Sequence, residues 1–145
     1  MSVDDTYFRD ACACYNTRHT ARILTRAYDD ALRPFGLRGP QFSLLAALSG
    51  LNEISITEFA AATGMDRSTM SRNLRLLEDQ GLVALSAERR WRMKTVTITA
   101  VGRAKLEAAL PAWREMQARV IGAVGEDAWN DLRAGLRKLE AAVAG

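Results

Sequence analysis

The 145-residue sequence has one histidine, two cysteines and three prolines. With His19 alone there is no histidine pair for a zinc site, and general acid–base chemistry is poorly provided for. Cys12 and Cys14 are too few for a disulfide scaffold. Long apolar runs are also missing. The longest covers residues 44–48, far short of the roughly 20 residues that span a bilayer. The start carries Asp4 and Asp5 and no apolar segment, so no export signal is expected and the cytoplasm is the expected compartment. Gly-x-Ser-x-Gly and Walker patterns do not occur, so no catalytic residue, cofactor or metal is expected. Apart from an alanine-rich end there is no low-complexity tract, and no internal repeat.

The composition that remains is that of a folded chain. Hydrophobic residues make up 48%, and the length suffices for one domain with a real core. The net charge of +3 is mild, but its distribution is uneven. Residues 66–94 hold seven Arg or Lys against four Asp or Glu, and four of the six residues 89–94 are basic. Such clustering suits a polyanion, although a solvated basic turn has the same composition.

Along the chain, Phe8, Ala11, Cys12 and Tyr15, then Leu24, Ala27, Tyr28 and Ala31, recur at helical spacing. They predict one long helix over 7–32, ended by Pro34 and Gly36. A helix that long projects beyond a small core and invites a second subunit. Pro40 suits the start of the next helix, whose buried face is Phe42, Leu45 and Leu48. Ile54-Ser55-Ile56 predicts a strand stub. Thr57 is a candidate cap for a helix over 58–63, with Phe59 and Ala60 inward. Gly64 closes that helix in the left-handed conformation, and Asp66 caps the following one, with Thr69 three residues on. Helix, glycine turn, helix is the helix-turn-helix arrangement.

The second of these helices has two characters. Met70, Leu74 and Leu77 lie on one side; Ser68, Ser71, Arg72, Arg75 and Asp79 lie on the other. A charged solvent face is the ordinary explanation, but it accounts neither for the capped helix in front nor for the basic hairpin behind. In a major groove, short hydroxyls let the backbone approach, and arginine pairs with guanine edges or phosphates. Residues 82–85 and 95–98 predict a two-stranded wing with Arg89, Arg90 and Arg92 at its tip, suited to a narrow minor groove, and Trp91 packed over the hairpin. The candidate DNA contacts are Arg67, Ser68, Thr69, Ser71, Arg72, Arg75, Arg89, Arg90, Arg92 and Lys94.

Thr99 caps a predicted helix over 100–123, with Leu106, Leu110, Trp113, Gln117, Val120 and Val124 in a stripe and Pro111 predicting a kink or break. Gly125 ends it. A last helix over 126–144 repeats Trp129, Leu132, Leu136, Leu139 and Val143 at helical spacing. The fold class is therefore mostly α with a small β-hairpin wing: a winged helix-turn-helix with long N- and C-terminal helices.

In order and spacing, residues 37–48 (Leu-Arg-Gly-Pro-Gln-Phe-Ser-Leu-Leu-Ala-Ala-Leu), 56–65, 66–83 (Asp-Arg-Ser-Thr-Met-Ser-Arg-Asn-Leu-Arg-Leu-Leu-Glu-Asp-Gln-Gly-Leu-Val) and Val96-Thr-Ile-Thr with Gly102 resemble the MarR family of bacterial winged-helix regulators. The resemblance covers nearly the whole chain. It implies an intertwined homodimer, with residues 1–36 and 100–145 as the dimerisation region and 37–99 as the DNA-binding region. It further implies a palindromic operator in double-stranded DNA and repression relieved by a ligand or an oxidant. The family's wing usually carries Asp-x-Arg. Here the Arg falls at Arg92 while the Asp position holds Arg90, leaving Glu88 as a substitute.

The family's organic-peroxide sensors carry a reactive cysteine in their first helix. Alignment through Leu24-Thr-Arg-Ala-Tyr28 places Cys14 on it, Tyr28 on a tyrosine that contacts the thiolate, and Arg18 where a second tyrosine is expected. One turn from Cys14, the Arg18 guanidinium would favour thiolate, which oxidises to sulfenic acid and can then condense with another thiol. Cys12, on the apolar stripe of the same helix, is expected to be structural and no partner for Cys14; both cysteines serving as small core hydrophobes is the plainer reading. Alternatively the signal is a small aromatic or carboxylate ligand, held between the first helix and the DNA-binding region by His19, Arg22 and Trp113. Competing classes are an architectural DNA binder with little sequence preference, an enzyme, and a winged helix turned protein-interaction module. The hydroxyls at Ser68, Thr69 and Ser71 favour base reading.

Overall fold

The computed structural model describes residues 5–87 and 94–144. The elements run α1 (Asp5–Ala11), α2 (Ala13–Leu32), a 3₁₀ turn (Arg33–Phe35), α3 (Gly39–Ser49), β1 (Ile54–Ser55), α4 (Ile56–Thr63), α5 (Arg67–Asp79), β2 (Val83–Ala87), β3 (Lys94–Ile98), α6 (Ala100–Val124) and α7 (Glu126–Val143).

The single helix expected over 7–32 is divided. Cys12 adopts an extended conformation and caps α2, its Sγ accepting the Tyr15 N–H at 3.4 Å. Asn16 bridges the interruption, donating to the carbonyls of Arg9 (2.6 Å) and Cys12 (2.9 Å). Cys12 is therefore a cap between two helices and does not sit on a continuous apolar stripe.

The cap of α4 also differs from expectation. Ser55, not Thr57, caps it: the Ser55 Oγ accepts the Glu58 N–H at 3.1 Å, and Glu58 Oε2 accepts the Ser55 N–H and hydroxyl. This reciprocal Ser-x-x-Glu box satisfies two backbone donors at once, which Thr57 could not. Gly64, at φ 68°, then turns the chain from α4 into α5.

The stub β1 joins a three-stranded antiparallel sheet in the order β1-β3-β2, with Ile54 opposite Val96 and Leu85 also opposite Val96 on the other side. The helix α6 runs unbroken through Pro111, which is exposed, so the Glu107 carbonyl that loses its donor can turn to water. Its start sits hard against the wing. A Cβ on Gly102 would lie 2.1 Å from the Leu82 carbonyl oxygen, so only glycine fits there. Thr99 secures the same corner, capping α6 through the Gly102 N–H (3.0 Å) and donating to the Gly81 carbonyl (2.7 Å).

One core joins all these parts. Leu32 of α2 and Leu106 and Ala109 of α6 cluster with Leu44, Leu45 and Leu48 of α3, Phe59 of α4, Met70, Leu74 and Leu77 of α5, and Val96 of β3. By contrast α7 buries none of its residues.

Candidate nucleic-acid interface

In α5 the period of 3.6 separates two faces. Met70, Leu74 and Leu77 are completely buried, and this fixes how the helix can rotate. The opposite face exposes Arg67, Ser68, Ser71, Arg72 and Arg75, which together line one open cleft. Five of the predicted DNA-contacting residues are thus brought together on one surface. Thr69 is half-buried beside them, and Lys94 is exposed at the start of β3. Arg89, Arg90 and Arg92, with Glu88 and Trp91, lie outside the described residues.

The cap of α5 does more than end a helix. Asp66 Oδ1 accepts the Thr69 N–H (2.8 Å) and the Ser68 hydroxyl (2.7 Å), and Oδ2 accepts the Thr69 hydroxyl (2.6 Å). The Thr69 hydroxyl first, then the Ser68 hydroxyl and the Thr69 N–H, hold the Asp66 carboxyl far below the usual carboxylate range. Asp66 is exposed and stays ionised at the surface that presents the arginines.

A second link was not anticipated from the charge pattern. Glu78, one of the acidic residues of the basic region, accepts the Leu85 N–H at 3.2 Å and ties β2 to α5. The wing root is therefore positioned by the recognition helix itself. Spacing offered no signal for this, because the bond depends on how the strand folds back.

The candidate sensor residues are not gathered within one protomer. Cys14 and Arg18 are exposed on the first turns of α2. Tyr28 lies about 21 Å further along the helix, at 1.5 Å per residue, so Tyr28 of the same chain does not reach Cys14. Its hydroxyl instead donates to Gln117 of α6 in a short hydrogen bond, and burial pushes its acid up from the ordinary tyrosine value. The ligand candidates separate as well. The His19 ring stacks on Tyr15 (centroids 5.9 Å apart), whereas Trp113 stacks on Phe42 (5.7 Å). Trp113 borders a cavity of about 170 Å³ with Tyr28, Gly39 and Ser43, between α2, α3 and α6; neither His19 nor Arg22 lines it. Gly39 is held there by its N–H bond to Asp29 Oδ1 at 2.7 Å.

A capped helix-turn-helix, an arginine-bearing recognition helix and an attached wing define a winged helix-turn-helix DNA-binding protein. The MarR family profile matches residues 35–90. The chain is 32% identical over 131 residues to an HTH-type transcriptional repressor of Mycobacterium tuberculosis, covering 90% of this chain and 94% of that protein. It is 44% identical to the M. tuberculosis transcriptional regulator MosR in a crystal structure with DNA, with a TM-score of 0.83 over 90% of this chain and 95% of that one. A mutant E. coli MarR complexed with operator DNA shares the fold at 17% identity, with a TM-score of 0.82 over 94% of this chain and 99% of that one. The chain belongs to the MarR family of transcriptional regulators. No helix among the described residues is long and apolar enough to cross a membrane.

Proposed function

We propose that the chain is a homodimeric repressor that reads a palindromic operator through α5 and is released from it by a small ligand or by oxidation. The observation that carries the DNA-reading role is the single exposed face of Arg67, Ser68, Ser71, Arg72 and Arg75, held outward by the buried stripe beneath it. The similarity to a regulator crystallised with DNA supports the same role. The homodimer is supported by α7, where Leu132, Leu136, Leu139 and Val143 form one exposed apolar stripe. Exposed Tyr7 and Phe8 on α1 and Ile23 on α2 add to the apolar surface that a second copy would cover. Two recognition helices related by a two-fold axis would enter major grooves roughly 34 Å apart.

For the signal, the cavity at Tyr28, Gly39, Ser43 and Trp113 lies at the joint between the long helices and the DNA-binding region. A small aromatic acid bound there would bear on α2, α3 and α6 together. The oxidative route has a different support: Cys14 is exposed, with Arg18 one turn away. Selection from a random duplex library tests both, using reduced protein, protein treated with an organic hydroperoxide, and Cys14→Ser. An inverted repeat lost on oxidation and retained by Cys14→Ser establishes the redox route. An inverted repeat indifferent to oxidant directs the search to aromatic acids. Binding with no enriched sequence supports an architectural DNA binder instead.

A further inference from the structure

We infer that Asp66 sets the hydrogen-bonding polarity of the DNA-facing end of α5, leaving Ser68 and Thr69 as acceptors toward the bases; this rests on the DNA-reading role of α5 proposed above. An exposed helix N-terminus ordinarily attracts phosphate. Here the first turn of α5 is already occupied by a carboxylate of the same chain.

The polarity follows from counting protons. An ionised carboxylate only accepts hydrogen bonds, so in both contacts with Asp66 the hydroxyl must be the donor. Serine and threonine hydroxyls have one proton each. With those protons committed to Asp66, Ser68 Oγ and Thr69 Oγ1 present only lone pairs to the groove. Guanine O6 and N7, thymine O4 and phosphate oxygens are acceptors and find no match there. The amino groups of adenine and cytosine are donors and do. Arg67, Arg72 and Arg75 line the same face and carry donors only. The face is thus divided, with arginines suited to guanine and phosphate and hydroxyls suited to adenine or cytosine.

Asp66→Asn reverses one of these hydroxyls with little change in shape. The Asn Oδ1 still caps the Thr69 N–H, since Asn is as good a cap as Asp. With Oδ1 kept on the Thr69 N–H and the Ser68 hydroxyl, the amide nitrogen takes the place of Oδ2 and donates to Thr69 Oγ1, so the Thr69 proton is the one released toward the groove. Losing a negative charge beside DNA raises affinity for every duplex, so the quantity to measure is discrimination between bases at each position.

The test is selection from a random duplex library with full-length wild type, Asp66→Asn and Thr69→Val, the last keeping the Thr69 N–H on Asp66. Wild type should enrich adenine or cytosine at a position in each half-site that is unaffected by Arg72→Ala. In Asp66→Asn, preference there should move roughly tenfold toward guanine or thymine, the scale of one base contact. Thr69→Val should weaken the preference without reversing it. If both variants select the wild-type sequence with unchanged discrimination, this inference is overturned and sequence-specific reading stands. If wild type enriches no sequence, both are overturned.

Discussion

The helices α5 and α7 each carry one apolar stripe and one polar face, yet they use them in opposite ways. In α5 the apolar stripe is inside its own chain and the arginines point outward. In α7 nothing is buried, and Leu132 and Val143 remain 50% and 85% exposed. The same periodicity therefore produces a finished surface in one helix and an unfinished one in the other. A finished surface bearing arginines suits a polyanion. An unfinished apolar stripe suits another apolar surface, since contiguous exposed apolar patches mark interaction sites.

Leu132→Asp combined with Leu139→Asp should abolish self-association in sedimentation and lower operator affinity on the order of 100-fold, because two linked recognition helices become independent. The circular dichroism spectrum should stay helical. An unchanged sedimentation coefficient would place the subunit contact elsewhere.

The joint between the two regions should be nearly as sensitive. Gly102→Ala drives a methyl group into the Leu82 carbonyl, which is backbone and cannot rotate away. A cost of about 3 kcal/mol is expected, roughly a 10 °C fall in thermal midpoint for a chain of this size. A variant as stable as wild type would show that α6 can shift on the wing root.

Within the polar surface, Arg72→Ala and Lys94→Ala should separate. Arg72→Ala should weaken operator binding roughly tenfold and non-specific binding less, as for a lost base contact. Lys94→Ala should weaken all duplexes similarly and reduce the slope of log affinity against log salt by about 0.9, as for one lost phosphate contact. Fluorescence anisotropy across a salt series measures both, and the reverse pattern would exchange their roles.

The smallest effect concerns acid. The Asp66 carboxyl is held below its unfolded value, so its contribution to stability is complete above about pH 4 and fades as pH falls toward the folded value. Urea midpoints between pH 5 and 2.5 should fall less steeply for Asp66→Asn than for wild type. Parallel curves would mean that the Asp66 carboxyl is equally acidic in the folded and the unfolded chain.

Much of this molecule was legible locally. The caps at Asp66 and Thr99, the turn at Gly64 and the two faces of α5 follow from contacts within one helical turn, which spacing alone reveals. The Ser55–Glu58 box was equally local, and the same rule applied two residues earlier would have identified it. The break at Cys12 was less visible, because a thiol is a weak acceptor and an unusual cap.

Tertiary structure alone decided the rest. It brought Leu82 against Gly102, Glu78 to the Leu85 N–H and Tyr28 to Gln117, 89 residues away. It added β1 to the edge of β3, and it placed Trp113 beside Tyr28 while leaving His19 on Tyr15. Helical period fixes which side chains share a face. Which faces meet, and which polar atoms become partners when they do, depends on the packing of the whole core, and no local pattern encodes that.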